Sequence, residues 1–164
     1  MTKLNCYCAL LFLTFAGSVR AGAVTVEGCW TMIESYPSVE FRIVNNSSSD
    51  LTLDNTEFPW NGNGAIIVAY RGDRVVGKVL DRIYPIQDDE ARLVTLRRGE
   101  SRAGSVVLSE YFRGSDDAKS VARVKLLWSY SLELGRDETL EFGGSVNFGS
   151  PAQKCSNAQK KYGE

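Results

Sequence analysis

Three adjacent carboxylates, Asp88, Asp89 and Glu90, carry the hard oxygen ligands that a calcium ion takes. They lack the alternating D-x-D-x-D spacing and the placed glycine of a calcium loop, so they read as a solvated acidic turn. Two carboxylates held about 5 to 9 Å apart in a cleft could hydrolyse glycosides, but nothing in the sequence marks such a pair. Histidine is absent from the chain, which excludes Ser-His-Asp and Cys-His catalysis and removes the commonest metal ligand. Arg71-Gly72-Asp73 could serve adhesion, yet a Gly-Asp turn between apolar runs is ordinary hairpin chemistry. Asn45-Asn46-Ser47-Ser48 holds overlapping glycosylation acceptors that would act only in a eukaryotic secretory route, and otherwise reads as a turn. No catalytic, cofactor or metal residue is assigned, and the chain is expected not to be an enzyme.

Cysteine chemistry depends on compartment, and residues 1–21 read as a signal peptide. Lys3 makes the positive start, residues 10–16 the apolar centre and residues 18–23 a small-residue tail. Cleavage is expected after Ala21, with Ala23 as the alternative. The apolar run is too short for the ~20 residues of a membrane span, so a secreted or periplasmic chain with no membrane insertion is expected. Cys6 and Cys8 leave with this segment, and Cys29 and Cys155 are expected to form one disulfide joining the two ends of the mature chain. The mature chain keeps 17 basic residues (19 less Lys3 and Arg20) against 20 acidic ones, a net charge of −3 with no bias toward nucleic acid.

One loop carries functional promise. In NTEFPWNGNG (residues 55–64), Pro59 blocks a ladder bond and two Asn-Gly pairs follow. Phe58, Pro59, Trp60 and Asn61 are therefore candidates for a binding loop, with Trp60 as an anchor for a partner or a platform for a sugar ring. The alternative is that Trp60 folds back and caps the sandwich. Trp128 reads as core, and Trp30 as a shield for the disulfide.

These residues are positioned by strands. Val39, Phe41 and Ile43 alternate with Glu40, Arg42 and Val44, and residues 124–132 alternate as well. Residues 93–112 read as strand, polar turn and strand, while Leu140, Phe142, Val146 and Phe148 are expected in phase if Gly143-Gly144 is a bend or bulge. Eight or nine short strands without a convincing helix predict an all-β, immunoglobulin-like antiparallel sandwich over residues 22–155, with a polar tail at 156–164.

The succession FRIVNNSSSDLTL (41–53), EFPWNG (57–62), AIIVAYRGDRVVGKVLDRIYP (65–85) and LRRGESRAGSVVLSEY (96–111) resembles the immunoglobulin-like domain that precedes the catalytic domain of bacterial deuterolysin-type zinc endopeptidases. The likeness spans about half of the mature chain. It departs from the family at Phe58, where threonine is usual, and the chain has no H-E-x-x-H segment, so the peptidase activity does not carry over. The resemblance implies a free-standing accessory sandwich. The expected function is an exported binding domain whose loops at one end engage a protein partner. Alternatives are a proteinase inhibitor using residues 57–64, and a carbohydrate- or envelope-binding module with a glycan ligand.

Overall fold

A computed structural model describes residues 22–61, 64–72, 78–83, 90–116, 118–134 and 138–155. The expected signal peptide at 1–21, the 156–164 tail, Asp88 and Asp89 lie outside the described residues, as do Asp73, Gly62 and Asn63. The strands are β1 (Val24–Ile33), β2 (Tyr36–Asn45), β3 (Leu51–Asp54), β4 (Ala65–Arg71), β5 (Lys78–Val79), β6 (Leu93–Leu96), β7 (Ser101–Val107), β8 (Val124–Leu134) and β9 (Glu138–Asn147). Two single-turn helices, α1 (Leu108–Tyr111) and α2 (Ala118–Val121), lie between β7 and β8. Among the described residues no helix is long and apolar enough to cross a membrane.

The strands form antiparallel sheets in the orders β1-β2-β7 and β5-β4-β8-β9, with β3 and β6 as a separate pair. This is an immunoglobulin-like sandwich: β1, β2 and β7 take the A, B and E places, and β5, β4, β8 and β9 the C′, C, F and G places. Period-two sequence produces it. Along β8 buried and exposed residues alternate without a break from Val124 to Glu133, and in β2 Val39, Phe41 and Ile43 are fully buried.

The centre of the core is one row across the first sheet, Gly28–Phe41–Gly104. Phe41 meets Trp128 of the opposite sheet edge-on, with ring centroids 5.4 Å apart. In immunoglobulin domains the strands in these two places are joined by a disulfide; here an aromatic pair makes the contact. Gly104 leaves room that a side chain would fill, and Gly28 leaves a tighter fit. A Cβ on Gly28 would lie 3.0 Å from the Trp128 Nε1, and a Cβ on Gly104 would lie 2.3 Å from the Trp60 ring.

Asn45 closes the β2–β3 turn from a fully buried position. Its Nδ2 donates to the carbonyls of Ser49 and Leu96, each at 2.9 Å, and its Oδ1 accepts from the Ser47 backbone N–H and hydroxyl. All of its amide hydrogen-bonding capacity is used, which is why an amide can be buried there.

Two expectations need refinement. Of residues 93–112, those from 93 to 107 form strand, turn and strand, with Gly99 at φ +74°, while Leu108–Tyr111 turn into α1; β6 pairs with β3 while β7 pairs with β2. The turn thus carries the chain from one pairing to another and is not a hairpin. No bulge occurs at Gly143-Gly144, because the register to Ser129 and Trp128 is unbroken. Leu140, Phe142, Val146 and Phe148 are all at even positions and share the inner side without one.

Candidate functional site

The 55–64 loop leaves β3 through a 3-10 turn, Asn55–Glu57, capped by Asp54. The Asp54 carboxylate accepts from the Thr56 backbone N–H at 2.9 Å and from its hydroxyl at 2.8 Å. These bonds to the ionised form hold its pKa below the usual carboxylate value. Asn55 then fastens the turn to the strand beyond: its N–H donates to the Arg92 carbonyl, and its Oδ1 accepts from the Arg92 N–H.

Beyond this turn the loop folds inward. Phe58 is 3 % exposed and Pro59 is buried, while Trp60 and Asn61 are half-buried. The Phe58 and Trp60 rings stack with centroids 4.8 Å apart and planes within 4°. Asn61 donates from Nδ2 to the Asn55 carbonyl and from its backbone to the Phe58 carbonyl, and Gly64 donates to the Asn61 carbonyl. A Cβ at Gly64 would fall 1.8 Å from the Phe58 carbonyl oxygen, so the chain can return to β4 only through glycine here. Phe58 and Pro59 thus present no surface to a partner, against the expectation of an exposed loop. Burial of two apolar side chains outweighs exposing them in a short, self-bonded loop, and Trp60 packs over Gly104 of β7.

Tyr130 lies behind this region, paired with Ala65 and stacked on Phe142. Its hydroxyl meets no hydrogen-bond partner among the described residues. Burial, with the Glu57 charge as a smaller contribution, pushes its pKa well above the ordinary tyrosine value.

In β1, Cys29 is bonded to Cys155, with Cα atoms 5.2 Å apart. A Glu40 carboxylate oxygen and the two sulfurs lie within 4.8 Å of one another. Both sulfurs are consumed by the disulfide, so the cluster has no thiolate to ligate a metal. Trp30 does more than sit beside the bond. Its Nε1 donates to the Ser150 carbonyl at 2.8 Å, its carbonyl accepts from the Cys155 N–H, and the Lys154 ammonium lies 5.5 Å from its ring centroid.

The feature that residue reading missed is on the outer face of the β5-β4-β8-β9 sheet. Ile66, Val79 and Leu127 are 63 %, 50 % and 41 % exposed, and Val68 and Tyr70 lie half-buried beside them. The signal was present in AIIVAY: Ala65, Ile67 and Ala69 supply a core face, yet Ile66, Val68 and Tyr70 make the opposite face apolar too. A one-sided antiparallel sheet normally turns polar residues outward.

Comparison of the chain with protein-family models, with curated proteins and with solved structures returns no match.

Proposed function

We propose that this chain is an exported, non-enzymatic immunoglobulin-like domain that works by binding another protein. The observation that carries the reading is the apolar strip Ile66, Val68, Leu127 and Val79 on an open sheet face. Contiguous exposed apolar surface of this kind marks interaction sites, since water covers it at a free-energy cost of about 25 cal/mol per Å². The disulfide between the chain ends supports an oxidising compartment. The resemblance of the motif order to deuterolysin accessory domains is the support for an accessory role. Burial of Phe58 and Pro59 moves the proposed surface from the 57–64 loop to the sheet.

The test is site-specific photo-cross-linking in the exported fraction, from position 127 on this face and from position 103 on the outer side of β7 as control. Protein adducts at 127 and none at 103 are expected. Equal labelling at both positions, or none at either, would refute the reading.

A further inference from the structure

The identity of the partner follows from the charges at the two ends of this face, and the argument rests on the binding reading above. On the outer side of β4, β8 and β9, side chains stand in rows set by the strand register. Lys125 occupies one end, the Val68–Leu127 and Ile66–Ser129 rows follow, and Glu141 and then Glu133 occupy the other end. Lys125, Glu133 and Glu141 all face solvent, and none has an ion-pair partner among the described residues. Gly143 stands beside Ser129 in the central row.

We propose that this face binds a second copy of this chain as a weak two-fold dimer. A two-fold axis lying in the interface across the strands, between the Leu127 and Ser129 rows, reverses strand direction in the second copy. It lays Ile66 over Val68 of the second copy and brings Lys125 to the row of the second copy's Ser131 and Glu141. At the axis Ile66 meets Val68 while Leu127 packs over Ser129 of the second copy, and at the rim each Lys125 meets a carboxylate, twice over by symmetry. A different protein would have to carry the same charges in reverse order, whereas a second copy does so by its own sequence. At ~4.8 Å between strands and ~3.4 Å per residue, β4, β8 and β9 present a face about 14 Å by 37 Å, roughly 500 Å² in projection. That is below the ~800 Å² per partner of a standard interface, so the equilibrium belongs in the micromolar range or weaker.

The test is sedimentation equilibrium of the mature, disulfide-bonded chain from about 1 μM to about 1 mM, a span that brackets weak association. A reversible monomer–dimer equilibrium is expected, with Leu127→Arg monomeric throughout and its fold verified by near-UV circular dichroism. Lys125→Glu and Glu141→Lys should each weaken association about tenfold, since each turns two symmetric attractions into repulsions. Mixing those two variants should restore the dimer, because each then supplies the charge the other lacks. A wild-type chain that is monomeric at the highest concentration overturns the proposal, as does a dimer unmoved by Leu127→Arg or variants that do not recover on mixing. The cross-linking at position 127 separates the two failures: adducts only to a different protein refute the dimer and leave the binding reading standing, and no adducts refute both.

Discussion

Gly104→Ala adds one methyl group to an edge strand, where replacing glycine ordinarily stabilises by about 0.4–1 kcal/mol through the unfolded chain. Here the sign should reverse. The new Cβ would sit 2.3 Å from the Trp60 ring, well inside contact distance, and the ring is held from behind by Phe58 and by the loop's own hydrogen bonds. Overpacking of this kind costs roughly 1–3 kcal/mol, so a net destabilisation of about 1–2 kcal/mol is expected. Trp60→Ala alone removes a half-buried indole and should cost about 2 kcal/mol, below the ~3–5 kcal/mol of fully buried aromatic truncations because part of the ring is already wet. With Trp60→Ala in place, the Gly104→Ala methyl enters vacated space and becomes neutral or stabilising by about 0.5 kcal/mol. The double-mutant cycle, measured by urea unfolding with m-values checked for constancy, should therefore show a coupling of about 2 kcal/mol. Additivity within about 0.5 kcal/mol would refute the account of Trp60 as the side chain that fills the Gly104 position.

Three further outcomes follow from the geometry. Tyr130→Phe should be neutral or stabilise by up to about 1 kcal/mol in thermal or urea unfolding, because it deletes a buried hydroxyl with no partner among the described residues. Since the folded pKa of Tyr130 is raised, its contribution is fully present below the ordinary value of 10.0 and is lost as pH rises beyond it; absorbance at 295 nm should show one tyrosine resisting ionisation in the folded chain, absent in Tyr130→Phe. Breaking the disulfide with paired Cys29→Ala and Cys155→Ala should lower stability by about 5 kcal/mol if the closed loop, at a separation of 126 residues, acts through chain entropy; a loss below about 1 kcal/mol would argue that the Trp30 contacts hold the ends unaided. Ser35→Gly should raise the melting temperature, since Ser35 sits at φ 76° in the β1–β2 turn, where glycine carries no strain.

Strand faces and the disulfide were legible because each rests on a local rule. Alternation in residues 39–43 and 124–132 is a period-two signal, and with Cys6 and Cys8 read as part of an expected signal peptide, Cys29 and Cys155 leave a single pairing. The β1–β2 hairpin turn was not legible: Glu34 and Ser35 both adopt positive φ without the Asn-Gly signature that usually announces such a turn. Pairing partners were equally hidden. Whether β7 follows β6 as a hairpin or crosses to β2 depends on long-range packing around Asn45 and Phe41, which local turn residues do not encode.

The loop at 55–64 and the face at 66–70 exchange roles for one physical reason. A loop rich in Asn, Gly and Pro with two aromatic rings reads as a surface feature, yet Gly104 leaves a vacancy beside Phe41 that a large ring can fill, and the loop is tied at Asn55 and Asn61 so that its aromatics reach it. The apolar strand β4 reads as core, yet a sheet has two faces and the sandwich covers only one. Apolar content in a sequence therefore locates neither the interior nor a docking surface by itself. What separates them is whether the opposing layer carries a gap of matching size: Gly28 and Gly104 make such gaps for Trp128 and Trp60, and no layer among the described residues lies over Ile66 and Leu127. If Ile66 and Leu127 dock on a second copy, they are core residues of the dimer, and the pattern AIIVAY is that of a strand buried on both faces.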